Sequence, residues 1–291
     1  HYVMDKPLLR QMFSFAGWGM IGNTGFTLKD QGSNIILNLF FGPSVNAARA
    51  IASHVNGIIN GFASNFSMAM NPQITKLYAA GNLEESMKLV YAGSRFTFFL
   101  LSIIVIPFVI NSDYVLHLWL GIVPEYTNIF VFIILLGSLF YSLAHTVSTG
   151  VQATGNVKWL QISLSAILLM ELPIAYVILK MGGNPYHALL PSLVTIPVSV
   201  VARFVILRHY VPAYSLKKFL MGSVLRCVLI FTFCFAMSYY IHSQMDANSF
   251  VTLLVSSIIS VALTVIVIAV FGLNTDERRF VLNKIRKTSR K

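Results

Sequence analysis

Long apolar runs, interrupted by glycine, proline and charged residues, make up most of the chain. A helix of about 20 apolar residues crosses the hydrocarbon core of a bilayer, which is about 30 Å thick. Runs of this kind predict eight transmembrane helices, of which the first two are longer than a bilayer requires. The predicted spans cover approximately residues 10–41, 44–78, 86–111, 126–151, 157–181, 186–209, 217–242 and 249–272. The pattern therefore predicts an all-α, polytopic membrane protein.

The positions of lysine and arginine predict the orientation of these helices, because short cytoplasmic loops collect these residues. The connections after the first, third, fifth and seventh spans hold only Lys180, with Arg49 just inside the following helix. The other connections and both chain ends hold Lys6, Arg10, Lys76, Lys88, Arg95, Lys158, Arg208, Lys217, Lys218, Arg226 and the cations from Arg278 to Lys291. Both termini of the chain are therefore predicted to be cytoplasmic.

Polar residues form continuous faces on several of the predicted spans. On the second span they recur at steps of three or four residues, which places them on one side of a helix. The first, fourth and sixth spans carry shorter stripes, and the last two carry none and are predicted to face lipid. The stripes are Asn23, Thr27, Asp30, Gln31, Asn34 and Asn38; Asn46, Arg49, Ser53, Asn56, Asn60, Ser64, Ser67 and Asn71; Ser138, Ser142, His145, Thr149 and Gln152; and Ser192, Thr195, Ser199 and Arg203.

Two explanations compete for these stripes. Hydroxyl and amide side chains join membrane helices by hydrogen bonds, and small residues such as Gly57 and Gly61 allow close packing. The stripes could instead line a water-filled cavity, which is where ionisable residues inside a membrane usually point. We favour the cavity for the first two spans, and both explanations remain open for the fourth and sixth. Gly17, Gly19, Gly22 and Gly25 also predict a bend in the first span.

The ionisable residues inside the spans are the candidates for chemistry. Arg49 is the best candidate for a ligand contact, because a guanidinium group binds phosphate with two parallel hydrogen bonds. Asp30 either pairs with Lys29 or a neighbouring helix, or takes part in ion coupling. Glu171, which precedes Pro173, and His145 on the fourth span could each handle a proton or cation, or could be structural residues.

The composition excludes several classes of protein. Hydrophobic residues make up 56% of the chain and charged residues 11%, whereas soluble domains average about 25% charged residues. The mean hydropathy is +0.73. The net charge of +11 follows from the unequal distribution of lysine and arginine between the loops on the two sides, so the basic tail is predicted to contact anionic lipid and not nucleic acid.

Cys227 and Cys234, seven residues apart on one helix, are too distant for a disulfide bond. Neither a catalytic or metal-binding motif nor a cofactor site is predicted, which argues against an enzyme.

Two stretches carry a family resemblance, "NIILNLFFGPSVNAARAIASHV" and "NFSMAMNPQITKLYAAGN". They resemble the start of the C-terminal half of bacterial Wzx-type polysaccharide (O-antigen) flippases, within the multidrug/oligosaccharidyl-lipid/polysaccharide exporter superfamily. The likeness is strongest from Phe13 to Asn82. It implies the C-terminal bundle of a fourteen-helix transporter, residues 1–209, with an additional transmembrane pair, residues 210–272, and the basic cytoplasmic tail 273–291. Because the chain starts at His1 without a cleavable signal, we expect a fragment of a longer protein.

The resemblance also implies a function and a site. Such flippases move undecaprenyl-pyrophosphate-linked oligosaccharides across the bacterial inner membrane for the synthesis of surface polysaccharides such as lipopolysaccharide. Their cationic cavity residues hold the pyrophosphate, and Lys29 and Arg49 match that role here. Polysaccharide polymerase and chain-length proteins are the partners implied. The predicted substrate-binding residues are Lys29, Asn34, Arg49, Asn56, Asn60 and Arg203, and Asp30, His145 and Glu171 are the candidates for ion or proton coupling.

Three other functions remain as alternatives. A cation-coupled multidrug antiporter of the same superfamily would hold its cationic substrates with carboxylates. Only Asp30 and Glu171 are available for this, against Lys29, Arg49 and Arg203, so the sign of the charge favours an anionic substrate. A membrane glycosyltransferase or ligase would need a larger loop for its active site, and a channel would need a repeated filter-like segment.

Overall fold

The computed structural model of the chain describes residues 6–245, 249–274 and 277. Over these residues the fold is built from helices without strands, as the sequence predicts. A 3₁₀ turn at Pro185–Leu189 and π-helical turns at Leu220–Val224 and Ile268–Gly272 adjoin the α-helices. These are α1 (Lys6–Phe41), α2 (Pro43–Ala79), α3 (Leu83–Ile110), α4 (Ser112–Leu120), α5 (Thr127–Ser142), α6 (His145–Ala153), α7 (Lys158–Leu169), α8 (Glu171–Lys180), α9 (Leu190–Tyr210), α10 (Leu216–Phe219), α11 (Leu225–Ser243) and α12 (Phe250–Val267).

In the described part of the chain, six helical segments are long and apolar enough to cross a membrane. They correspond to the third to eighth predicted spans: Leu83–Ile110, Thr127–Ala153, Lys158–Lys180, Pro185–Tyr210, Leu216–Ser243 and Phe250–Gly272. The helices α1 and α2 fall outside this set although they have 36 and 37 residues. Their polar stripes lower their hydropathy, yet both pack within the bundle. α1 lies against α7 and α8, and α2 lies against α3, α5 and α6.

Two predicted spans are not continuous α-helices. The fourth is interrupted at Leu143 and Ala144, whose amides bond to carbonyls three residues back, as in a tighter 3₁₀ turn. The fifth is interrupted at Met170, where α7 ends and α8 begins. Pro173 lies in the first turn of α8 and has no N–H group to extend the α-helical hydrogen bonds across this point. The short helix α4, in a segment that the sequence analysis treats as a connection, is a further difference.

Gly25 and Gly32 of α1 serve close packing. The helix runs unbroken from Lys6 to Phe41, and the bend expected at its glycines stays a prediction. A Cβ atom at Gly25 would lie 2.5 Å from Ser165 Oγ, and one at Gly32 would lie 2.6 Å from Leu172 Cδ1. These glycines therefore let α1 approach α7 and α8. The packing role considered for Gly57 and Gly61 is wrong, since added Cβ atoms there would meet no described atom within 4 Å.

Replacing Gly25 by alanine is expected to destabilise the fold by about 1–3 kcal/mol, the usual cost of overpacking. Alanine favours a helix over glycine by about 1 kcal/mol, so the substitution would stabilise the protein if it made no clash. The expected destabilisation therefore comes from the contact with Ser165. Gly19 on the same helix provides the matched control, because a Cβ atom there would have nothing within 4 Å. The midpoint of thermal unfolding in detergent should fall for Gly25→Ala and stay unchanged or rise for Gly19→Ala. Equal midpoints would contradict the packing role.

Helices α11 and α12 lie against α3 and against each other. The prediction that they lack a polar stripe is wrong for α12, where Ser256, Ser260 and Thr264 recur every four residues and are buried. Ser256 Oγ donates a hydrogen bond of 2.9 Å to Asn111 Oδ1 at the end of α3. This stripe serves helix packing. The predicted division into a bundle, an additional pair and a tail stays a prediction, and most of the tail lies outside the described residues.

Candidate functional site

The helices α1 and α2 meet at one end and have different neighbours at the other. They are joined through Gly42, whose φ of 78° lies in the left-handed region that glycine adopts without strain. Away from this joint, α1 lies on α7 and α2 lies on α3 and α6. Open space lies between α1 on one side and α2 with α6 on the other, toward the end of α2 that carries Lys76. The lysine and arginine pattern predicts that this end faces the cytoplasm.

A charged cluster links α1 and α2 near Gly42. Arg49 is buried, and its Nη2 lies 2.6 Å from Asp30 Oδ1. Its Nη1 donates a hydrogen bond to Asn34 Oδ1. The predicted stripes of the first two spans therefore face each other here. Of the alternatives open for Asp30, the structure has it paired with a neighbouring helix and not with Lys29.

Lys29 forms a second ion pair, directed to a different helix. Its Nζ lies 3.0 Å from Glu171 Oε2 at the start of α8. The hydroxyl of Thr195, from α9, donates a hydrogen bond to Glu171 Oε1. Lys29 and Asp30 are about 100° apart around α1 because they are consecutive in a helix, so each contacts a different neighbour. The two cations and two carboxylates of this cluster balance one another.

The middle of the α2 stripe is occupied by helix packing. Asn60 Nδ2 donates to Asn56 Oδ1 at 2.7 Å and to Ser138 Oγ at 2.6 Å. Ser138 in turn lies 2.9 Å from Asn60 Oδ1. These hydrogen bonds join α2 to α5, so at this level the packing explanation of the stripe is correct. Asn56 and Asn60 are only partly buried, which leaves part of each amide open to the space beside them.

A polar cavity of about 260 Å³ lies where the stripes of the fourth and sixth spans converge. Arg203 from α9 and His145 from α6 both line it, and Arg203 is only 1% exposed. A wider cavity of about 720 Å³ shares Asn71 with the first and continues to Lys76. The walls of the smaller cavity are mostly amides and hydroxyls: Asn71, Tyr141, Ala144, His145, Ser148, Thr149, Gln152, Leu160, Gln161, Leu164 and Arg203.

Unlike Lys29, Arg49 and Arg95, Arg203 has no carboxylate partner among the described residues. Its Nη1 donates to Ser199 Oγ at 2.8 Å, and its guanidinium carbon lies 4.6 Å from the centre of the Tyr141 ring. Its Nε atom has no hydrogen-bond partner in the described structure. The cavity wall therefore carries a buried positive charge, which suits an anionic ligand.

The structure separates the predicted site residues into two groups. Lys29, Asp30, Asn34, Arg49 and Glu171 lie in the charged cluster near Gly42, with Asn56 and Asn60 beyond it along α2. Arg203 and His145 lie at the polar cavity near the other end. No three His, Cys, Asp or Glu residues in the described ranges are grouped to hold a metal ion.

Sequence reasoning missed Gln161 and Tyr141 as cavity residues. Gln161 is a single amide in the apolar run of α7, and Tyr141 lies within the polar stripe of the fourth span, three residues after Ser138 and four before His145. Periodicity does not mark Gln161, whereas the spacing of Tyr141 fits the stripe. For Gln161 the sequence offered only the signal of a lone glutamine in a predicted span, and its place beside Gly22 of α1 is seen in the structure.

Comparison with known proteins gives one family match. The family model described as MatE matches residues 20–177, which is more than half of the chain. The matched range runs from α1 to α8, so it includes the charged cluster and His145, whereas Arg203 lies beyond it. No curated protein and no solved structure matches the chain.

Proposed function

The chain belongs to the MatE family of membrane transporters, and on that premise we propose that it moves an undecaprenyl-pyrophosphate-linked oligosaccharide across the bacterial inner membrane. The MatE family is part of the multidrug/oligosaccharidyl-lipid/polysaccharide exporter superfamily. The observation that carries the proposal is Arg203, a buried cation without a carboxylate partner in the described structure, in a cavity lined by amides and hydroxyls.

The chemistry of such a substrate matches this cavity. A diphosphate and a glycan do not cross hydrocarbon unaided, because transferring charged and hydroxyl groups from water into lipid is very costly. The guanidinium of Arg203 would hold the diphosphate, and the amides of Asn71, Gln152 and Gln161 would replace water around the sugar hydroxyls. The polyprenyl tail would remain in the bilayer beside the bundle.

The charged cluster near Gly42 would provide the second phosphate contact. Arg49 lies about 22 residues, or ~33 Å, from Asn71 along α2. Its partner Asp30 keeps 42% of its side chain exposed, so a phosphate group could approach and compete for the guanidinium. Transfer of the head group from Arg203 to Arg49 and Lys29 would accompany a change between inward-open and outward-open states. Polysaccharide polymerase and chain-length proteins would act on the product.

A cation-coupled multidrug antiporter is the second candidate, and the exposure of Asp30 favours it. In that case Asp30 would bind a cationic substrate or a coupling ion, with Glu171 or His145 handling a second charge. The family match is equally compatible with both functions. They differ in the sign of the substrate charge, and this difference can be tested at Asp30.

The Asp30→Asn variant is expected to affect the two functions in opposite directions. Removing the carboxylate frees Arg49, so binding of a lipid-linked diphosphate oligosaccharide should stay equal or become tighter.

Arg49→Ala should weaken the binding of the same oligosaccharide about tenfold, since each hydrogen bond between a charged group and phosphate contributes about 1.5–3 kcal/mol. Arg49→Lys should recover part of the loss. Binding would be measured in nanodiscs, with ethidium as the cationic ligand and membrane expression as the folding control.

An antiporter predicts the reverse pattern. Asp30→Asn would then abolish ethidium binding, and Arg49→Ala would leave it intact. Tight ethidium binding by the unaltered protein, lost in Asp30→Asn, would overturn the proposed function.

A further inference from the structure

A second groove lies away from the cavities described above, between α3 and the segment from α10 to α11. It has a volume of about 610 Å³ and lies at the end of α3 that the charge pattern predicts to face the cytoplasm. Its walls come from both segments and from the end of the chain that follows α12. The lining residues are Glu84, Met87, Lys88, Tyr91, Arg95, Lys218, Met221, Gly222, Ser223, Leu225, Arg226, Leu229 and Asn274.

The membrane side of the groove is an apolar track. Met221, Leu225 and Leu229 follow each other at steps of four along the same face, and all three are exposed. The groove passes the π-helical turn Leu220–Val224, which contains Gly222. A Cβ atom at Gly222 would meet no described atom within 4 Å, so the groove is open at this point. A track of this kind fits an acyl chain.

The other end of the groove is basic, and most of its cations are held in fixed positions. Arg95 pairs with Glu277 and also lies 3.5 Å from Ser223 Oγ. Arg226 Nε donates to the carbonyl of Phe271 at 2.6 Å. Lys88 Nζ lies 3.0 Å from Glu84 Oε1 and 3.2 Å from Glu85 Oε1.

No described carboxylate contacts Lys218, which also lines the groove. It is exposed, and its backbone amide rather than its side chain is used in the cap formed by Ser215. Lys218 therefore provides an exposed positive charge at the basic end of the groove.

We propose that this groove binds an anionic phospholipid of the cytoplasmic leaflet. The phosphate contacts Lys218, and one acyl chain lies along Met221, Leu225 and Leu229. Basic pockets between transmembrane helices on the cytoplasmic side are suited to such head groups. The lipid links α11 to α3, and its site is separate from the substrate cavity, so the proposal does not rest on the proposed transport function.

The test measures binding of phosphatidylglycerol to the purified protein by native mass spectrometry, with phosphatidylcholine as the uncharged reference. Lys218→Gln should weaken phosphatidylglycerol binding about fivefold, as expected for the loss of one cation near an anionic head group. Lys217→Gln is the matched control, because Lys217 is also exposed but does not line the groove. It should leave the affinity unchanged.

Gly222→Phe tests the apolar track without changing any charge. The added ring projects into open space in the groove, so the protein should fold normally while losing most of its phosphatidylglycerol binding. Inorganic phosphate at millimolar concentration should not displace the lipid. Three results would each overturn the proposal: equal loss in Lys217→Gln and Lys218→Gln, full binding by Gly222→Phe, or displacement by inorganic phosphate alone.

Discussion

Replacing Arg203 by glutamine is expected to lower the affinity for a lipid-linked diphosphate oligosaccharide by tenfold or more. The guanidinium is buried at the polar cavity, and its Nε atom has no described partner. A phosphate there would gain hydrogen bonds to a charged group, each worth about 1.5–3 kcal/mol, and 1.4 kcal/mol corresponds to a factor of ten in affinity. Glutamine keeps a polar side chain of moderate length but removes the charge.

Arg203→Lys separates the charge from the geometry of the guanidinium. Lysine retains the positive charge and should recover part of the affinity, while losing the paired contacts and the stacking on Tyr141. Ser199→Ala is the structural control, because it removes the side chain that accepts a hydrogen bond from Arg203 without changing the charge. It should bind substrate nearly normally.

A purely structural Arg203 leads to a different result. Arg203→Gln and Arg203→Lys would then both lower membrane expression, and the protein that did fold would bind the glycan with unchanged affinity. Measuring expression and binding on the same preparations distinguishes the two roles. Normal expression together with undiminished binding in Arg203→Gln would remove this residue from the substrate site.

The positions of most helices could be predicted from the sequence because length and apolar content decide whether a segment crosses a bilayer. The third to eighth predicted spans match helical segments to within a few residues. The breaks at Leu143 and Met170 and the short helix α4 were missed, since they depend on local hydrogen bonds that leave the apolar pattern unchanged. The role of Gly25 likewise depends on Ser165, a residue 140 positions away in the chain.

The site was predictable only in part. Periodicity placed Asp30 and Asn34 on one polar stripe and Arg49 on another, and the structure brings these three side chains together. Periodicity did not identify the ion-pair partners, because consecutive residues such as Lys29 and Asp30 point to different helices. The sequence also did not show that Arg203 lacks a carboxylate partner, because this requires knowledge of every neighbouring side chain.

The ion pair between Lys29 and Glu171 leads to the second large expected effect. Glu171→Gln keeps the shape of the side chain and an oxygen for the hydroxyl of Thr195, but it leaves the ammonium of Lys29 without a counter-charge. Removing one partner of a fully buried pair destabilises a protein by about 3–5 kcal/mol. Since the side chain of Lys29 is 21% exposed, solvent reduces this effect, and we expect about 2–3 kcal/mol.

Adding Lys29→Met to Glu171→Gln should restore most of the lost stability. Two neutral side chains need no counter-charge, and replacing both members of a buried pair is often nearly neutral. The exposed pair of Lys88 and Glu84 is the matched control, so Glu84→Gln should leave the unfolding midpoint unchanged. The unfolding midpoints of Glu171→Gln, Glu84→Gln and the double variant would be measured by thermal unfolding in the same detergent. A double variant less stable than Glu171→Gln alone would show that Lys29 stabilises the bundle through contacts other than this ion pair.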